Sequence, residues 1–164
     1  MDKTKYIKAN SVAFSGHRTI AENCKDEIRM KLRGKIRLLY AMGFTNFFCG
    51  MALGFDMLAA EEVISLKAEQ PKLKLIVVIP FEGQSERWST REQDRYKSIL
   101  AKADDSVLLC RYYFKGCLLR RNDYMLSHSS GLIAFFDGTP KGGTFYTCRK
   151  AKTMGMDIIN LYKT

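Results

Sequence analysis

The stretch Leu73-Lys74-Leu75-Ile76-Val77-Val78-Ile79-Pro80 decides the fold class. From Leu75 to Ile79 the residues are apolar and mostly β-branched, with no polar alternation, so both faces of this strand must be covered. Strands of that kind belong to parallel sheets that carry helices on both faces. Working outward, short apolar runs recur at Ser11–Phe14, Asn46–Cys49, Ser106–Cys110, Leu132–Phe136 and Asp157–Leu161. Stretches of helical length separate them. The first, Ile20–Met42, sets Ile20, Cys24, Ile28, Leu32, Ile36 and Leu39 on one stripe, with Gly43 as its stop. Further helices are expected over Asp56–Ala68, Thr90–Ala103, Leu119–Ser129 and Thr144–Met154. This order predicts an α/β fold: a Rossmann-like, doubly wound, mainly parallel sheet of about six strands with helices on both faces.

The chain has 164 residues and a mass of 18.8 kDa, which suits one domain over residues 1–164. No linker, low-complexity tract or repeat breaks it, and Pro71, Pro80 and Pro140 each sit beside an element boundary. A net charge of +10 with 46% hydrophobic residues excludes intrinsic disorder. The longest apolar run, Leu75–Phe81, falls far short of the roughly 20 residues that span a bilayer. Met1-Asp2-Lys3-Thr4-Lys5-Tyr6 lacks the apolar core of a secretory signal, so a cytoplasmic protein without membrane contact is expected. The five cysteines are odd in number and hold no C-x-x-C pair, which points to reduced thiols. No His, Cys and carboxylate cluster has metal-ligand spacing, and no metal is expected.

In a doubly wound sheet the right-handed crossovers bring all βα loops to one edge, and ligands bind where the winding reverses. The expected strand order is 3-2-1-4-5-6, which puts the loops after strands one and four beside the crevice. Residues 1–43 carry a net charge of +6, residues 44–105 carry −2 and residues 106–164 carry +6. That order makes the basic thirds neighbours and gives half of the sheet a field that attracts phosphates. Much of the charge lies on the first helix (Lys25, Arg29, Lys31, Arg33, Lys35, Arg37), and a solvated, solubilising face reads equally well.

Each strand is followed by a candidate ligand segment. Ser15-Gly16-His17-Arg18 offers a tight turn, a helix start and two donors, or an ordinary βα turn. His17 is a candidate acid or base, or a hydrogen-bonding loop residue. Gly50-Met51-Ala52-Leu53-Gly54-Phe55-Asp56 departs from G-x-G-x-x-G, and Asp56 is a helix N-cap, an acceptor for ligand hydroxyls, or both. Pro80-Phe81 leads into a loop carrying Trp88, which either stacks on a base or pins the loop to the body. The Arg111-Tyr112-Tyr113-Phe114-Lys115 cluster fits a stacking platform for single strands, and Arg121-Asn122 fits a phosphate clamp, or both are a solvated helix start. Asp137-Gly138-Thr139-Pro140-Lys141-Gly142-Gly143-Thr144 makes a phosphate cradle at a helix start, or a turn capped by Thr144. It is not a P-loop, because Lys141 precedes the glycines.

Taken in order, Ser15-Gly16-His17-Arg18, Gly50-x-Ala52-x-Gly54-Phe55-Asp56-x-x-Ala59-Ala60-Glu61, Ile79-Pro80-Phe81, Trp88, Arg121-Asn122-Asp123-Tyr124-Met125 and Gly142-Gly143-Thr144 resemble the YpsA-like group of the SLOG superfamily over nearly the whole chain. That superfamily is Rossmann-like and related to DprA and to the LOG phosphoribohydrolases. The resemblance implies a nucleotide or nucleotide-derived ligand, such as an ADP-ribose-like or NAD-like molecule, and no other cofactor. It implies a ligand set of Ser15, Gly16, His17, Arg18, Gly50, Gly54, Asp56, Pro80, Phe81, Arg121, Asn122, Asp137, Gly142, Gly143 and Thr144.

Within that set Ser15, Gly16, Arg18, Gly142, Gly143 and Thr144 are read for phosphates, Asp56 for ribose hydroxyls, and Arg121 with Asn122 as a clamp. The leading reading is a nucleotide-binding protein of sensor type. One alternative is LOG-like cleavage of an N-glycosidic bond, although Gly142-Gly143-Thr144-Phe145-Tyr146-Thr147 lacks the inserted glycine and the glutamate of Gly-Gly-x-Gly-Thr-x-x-Glu. For that chemistry Asp56, Glu82, Asp123 and Asp137 are the carboxylates to consider. The other alternative is DprA-like binding of single-stranded DNA, which makes nucleic acid a second candidate partner; a homo-oligomer is a third. Arg121→Ala is expected to weaken binding and leave folding intact.

Overall fold

The computed structural model describes residues 5–163; residues 1–4, which open the amino-terminal stretch read above, and Thr164 lie outside the described residues. The elements run β1 (Ser11–Gly16), α1 (Lys25–Ala41), β2 (Asn46–Cys49), α2 (Phe55–Leu66), β3 (Lys74–Ile79), α3 (Thr90–Lys102), β4 (Asp105–Leu108), α4 (Cys117–Ser127), β5 (Gly131–Phe135), α5 (Gly143–Thr153) and β6 (Asp157–Asn160). α1 begins later than its apolar stripe does. Ile20 and Cys24 precede it, Cys24 in a short 3-10 turn, yet both still pack against the core. Gly43 ends the helix with φ of 101°, a backbone region that costs glycine least.

All pairings are parallel, and the sheet order is β4-β3-β2-β1-β5-β6. This corrects the expected order. β5, not β4, lies beside β1, in register from Val12 opposite Gly131 to Gly16 opposite Phe135. β4 instead extends the far wing next to β3. The residues explain the exchange. Gly131-Leu132-Ile133-Ala134-Phe135 is apolar throughout and buried along most of its length, as a central strand requires. Asp105-Ser106-Val107-Leu108 alternates in exposure, which only an edge strand tolerates. The winding therefore reverses between β1 and β5, and the crevice opens there.

Two cores flank the sheet. Val12, Phe14, Phe47, Leu75, Val77 and Ile133 point toward α1, α2 and α3, while Ala13, Phe48, Ile76, Val78, Leu132 and Ala134 point toward α4 and α5. The period of two along each strand divides the apolar residues between these layers. No helix among the described residues is long and apolar enough to cross a membrane.

The basic face of α1 is not simply solvated. Arg29, Arg33 and Arg37, four residues apart, align against the carboxylates of α2 and its extension. Arg29 donates to Glu61 at 3.1 Å and Glu62 at 2.9 Å, Arg33 to Glu62 at 3.0 Å, and Arg37 to Glu69 at 2.8 Å. Cations at the carboxyl edge behave differently: among the described residues Arg18, Arg111, Lys115, Arg120 and Lys141 enter none of the ion pairs. β4 leaves the neighbourhood of β1, but β1, β5 and β6 stay adjacent, and all five of these edge cations come from the basic stretches 1–43 and 106–164.

Glu62 is the buried acceptor in that ladder, with a side chain 9% exposed. Glu62→Gln is expected to lower unfolding stability by about 2 kcal/mol, the worth of charged hydrogen bonds to two arginines. Urea titration measures it, and a loss below about 0.5 kcal/mol, the level of an ordinary surface substitution, would make the ladder incidental.

Candidate functional site

At the reversal between β1 and β5 lies a cleft of about 530 Å³. Ser15, Gly16, His17 and Arg18 enter it from the end of β1, Ala52 and Asp56 from the start of α2, Arg121 and Asn122 from α4, and Gly142, Gly143 and Thr144 from the start of α5. Four separate segments of the sequence-derived set thus meet in one place.

Two glycines of that set act beneath the cleft instead of lining it. A Cβ on Gly50 would sit 2.6 Å from the Arg121 side chain, and one on Gly54 would collide with the Arg18 and His17 carbonyls. Gly54 also has φ of 82°, and the next residue, Phe55, donates its N–H to the His17 carbonyl at 3.1 Å. Their smallness lets chain pass over chain, which is a packing requirement. Gly16 does both, since it lines the cleft and its missing Cβ makes room for Phe55.

Asp56 and Arg121 are the buried charges of the cleft, 5% and 4% exposed. Asp56 is the second residue of α2, whose N-cap is Gly54, so it does not cap the helix. Its Oδ2 accepts the Ala52 N–H at 3.2 Å, and its Oδ1 is buried with no hydrogen-bond partner. Burial pushes the carboxyl up to about 6, against the opposing pull of Arg121, the Ala52 N–H and Arg18. Arg121 donates from Nη1 to the Gly50 carbonyl at 2.6 Å and from Nε to Asn122 Oδ1 at 2.8 Å. Burial holds its guanidinium below the usual value. Arg121 is therefore a structural strut with one edge on the cleft, which sets a stability cost against the expectation that its removal leaves folding intact.

The opposite wall is built from helix starts. α4 and α5 begin at Gly116 and Gly142, both with φ of 94°, and neither N-cap receives a side-chain hydrogen bond. Thr144 lies inside α5 and does not cap it. Both N-cap glycines line the cleft, so two positive dipole ends face it; at α4 the first N–H, of Cys117, already donates to the Phe114 carbonyl at 3.0 Å. α3, by contrast, is capped by Ser89 accepting the Glu92 N–H. A hydrogen-bond chain locks the wall: Asn122 Nδ2 donates to Thr147 Oγ1 at 2.9 Å, which donates to the Gly143 carbonyl at 2.9 Å.

The remaining residues of the set lie elsewhere. Pro80 is buried, and Phe81 lines a neighbouring groove. Asp137 does not line the cleft; its N–H donates to His17 Nε2 at 2.9 Å and its Oδ1 accepts the Thr139 N–H, which fixes the β5–α5 loop against His17. Asp123 binds Lys150 and Tyr146. Among the described residues Asp56 is thus the one carboxylate lining the cleft. Tyr113, Gly116, Leu118, Leu119, Ala52 and Lys141 complete the lining and were not in the sequence-derived set. Their common signal is position, each lying in a loop after a strand or in the first turn of the helix that follows. Among the described residues no cluster of His, Cys, Asp and Glu could hold a metal ion. Trp88 is half-buried and packs edge-on to Tyr96 at 5.3 Å, pinning its loop.

The description "YspA SLOG family" fits the model that matches residues 17–161. A UPF0398 protein of Brevibacillus brevis is 36% identical over 118 residues, covering 67% of this chain and 63% of that protein. The chain thus spans less than two thirds of that relative's length. A UPF0398 protein of Shouchella clausii is 36% identical over 128 residues, covering 76% of this chain and 68% of its own. In fold the chain is similar to DNA processing protein A from Helicobacter pylori, which is described for its single-stranded DNA binding mode. The TM-score is 0.63 with 21% identity, over 92% of this chain and 64% of that one.

Two outcomes follow from the buried charges. Because the folded state raises the Asp56 carboxyl from 3.8 to about 6, the folded protein holds this proton more tightly. Its stabilising contribution is complete below pH 4 and is lost as pH rises to 6. Chemical denaturation of wild type and Asp56→Asn across this range should give stability curves whose difference slopes between pH 4 and 6; parallel curves contradict the assignment. Arg121→Ala should cost about 3 kcal/mol, since it leaves buried partners uncompensated. An unchanged denaturation midpoint would mean that the strut is dispensable.

Proposed function

The chain belongs to the YspA SLOG family, and from that premise we propose that its cleft binds a nucleotide or nucleotide derivative through a phosphate. The first-turn N–H groups of α5 and the positive dipole ends of α4 and α5, with Arg18 and Lys141, receive the anion. The unpartnered Oδ1 of Asp56 accepts a hydroxyl of the ligand's sugar. Arg121 fixes the floor from below.

One observation carries this reading: two glycine-started, uncapped helices meet on the same cleft as a buried carboxylate with an unused oxygen. Burying such an oxygen without a partner costs about 1–3 kcal/mol, and a ligand hydroxyl recovers that cost. The residue at the place of the LOG glutamate supports binding over cleavage, because Thr147 is committed to the Asn122 and Gly143 hydrogen bonds. Of the carboxylates considered for cleavage, Asp56 is the one that lines the cleft.

A second reading, single-stranded DNA, is supported by the unpaired Arg111, Lys115 and Arg120 beside exposed Tyr112 and Tyr113, and by the fold shared with DNA processing protein A. Salt separates the two, since each phosphate neutralised on a single strand contributes about −0.7 to the log–log slope.

A thermal-shift series with AMP, ADP-ribose, NAD and a short single-stranded oligonucleotide, at low and moderate salt, tests the proposal. A mononucleotide at 100 times its dissociation constant adds about 2.7 kcal/mol and raises the midpoint by several degrees. Arg18→Ala and Lys141→Ala should each weaken AMP about tenfold, the loss of one charge-assisted contact. No shift with any nucleotide, or full affinity in both variants, contradicts the anion site; a shift with the oligonucleotide alone that fades with salt favours the strand.

A further inference from the structure

Beside the cleft lies a second cavity of about 650 Å³, lined by Phe81, Trp88, Arg111, Tyr112 and Tyr113 together with charged residues of the β3–α3 loop. Tyr113 lines both cavities, so the two adjoin at that residue. Tyr112 and Tyr113 are 77% and 65% exposed, an unusual cost for aromatic rings in a loop with nothing covering them. Phe81 meets Tyr113 edge-to-face at 5.2 Å and thereby holds that ring in place.

The groove is built, not incidental. Glu82 donates its N–H to the Cys110 carbonyl at 3.2 Å, which joins its two loops. Tyr96 donates to Gln84 Oε1, and Gln84 Nε2 donates at 3.1 Å to the carbonyl of Gly50. The same carbonyl receives Arg121 from the cleft side. The two cavities are therefore fixed to one backbone atom.

Their charges differ. In the groove Glu82 and Glu86 offset Arg87 and Arg111, whereas the cleft offers Arg18, Lys141 and two helix starts. A neutral, flat group suits the groove and a phosphate suits the cleft. We propose that the groove is a second subsite that stacks an unpaired nucleobase joined through phosphate to the nucleotide in the cleft, so that the full ligand has dinucleotide length. This rests on the nucleotide reading of the cleft. A pyrophosphate-linked dinucleotide and the end of a single strand share that chemistry.

Trp88 is the only tryptophan of the chain and lines the groove, so its fluorescence reports on that subsite alone. Calorimetry and Trp88 fluorescence are to be recorded together for AMP, NAD and the phosphodiester dinucleotide pdApdA. One of the two dinucleotides should bind about tenfold more tightly than AMP, within the range of a single stacked base, and quench Trp88 where AMP does not. Preference for NAD identifies the pyrophosphate-linked source and preference for pdApdA the strand. Tyr112→Ala, which touches only the groove, should abolish the increment and keep the AMP affinity. Equal affinities with Trp88 silent overturn the second subsite while the cleft reading stands. Failure of AMP and both dinucleotides to bind overturns both.

Discussion

Arg121 crosses the end of β2 over the bare Cα of Gly50 and donates to that residue's carbonyl at 2.6 Å. A buried guanidinium is costly unless it is hydrogen-bonded and has charge nearby, and here Gly50, Asn122 and the field of Asp56 meet that requirement. The crossing ties α4, on one face of the sheet, to the β2–α2 turn at its edge. Through Asn122 it continues to Thr147 and the Gly143 carbonyl, and so fixes the start of α5. Through Gly50 it continues to Gln84 and Tyr96 on the other face. The β2–α2 turn, α4 and the start of α5 are thus tied together through this one side chain.

The sheet topology supplies the site and the charge distribution suits it to anions. Reversal of the winding between β1 and β5 leaves a gap that neither set of helices covers, and the starts of α4 and α5 project into it. The carboxylates of α2 neutralise the arginines of α1 on one flank. Among the described residues Arg18 and Lys141 line the cleft without ion pairs, and Arg111, Lys115 and Arg120 stand without them in the neighbouring β4–α4 segment. The orphaned Asp56 oxygen is the exception, a buried acceptor without a partner beside those donors, and in the proposed reading it takes a hydroxyl of the ligand's sugar.

The alternation of strands and helices was legible because the apolar runs are short and the α1 stripe at Ile28, Leu32, Ile36 and Leu39 is buried as its spacing requires. The strand order was not read correctly, although the contrast between the unbroken apolar β5 and the alternating β4 carries it. Gly50 and Gly54 were read as ligand glycines because a motif does not distinguish a glycine that faces a ligand from one that faces the chain itself. The motif reads Arg121 with Asn122 as a phosphate clamp or as a solvated helix start, and neither reading includes its burial. The spacing of Cys117, Arg121 and Met125 at four residues places it on the buried face of α4 and was the available signal. The role of α2's carboxylates depends on contacts about 30 residues apart in sequence, which no local pattern records.

The central claim is that the starts of α4 and α5 form an anion site at the β1–β5 reversal. Amide chemical shifts of the isotope-labelled protein, followed by NMR as AMP is added, test it most directly. Saturable shifts are expected at Gly142, Gly143 and Thr144 and at Gly116 and Leu118, with the α1 amides unmoved. Shifts confined to α1, or none at the two helix starts at saturating AMP, would contradict it.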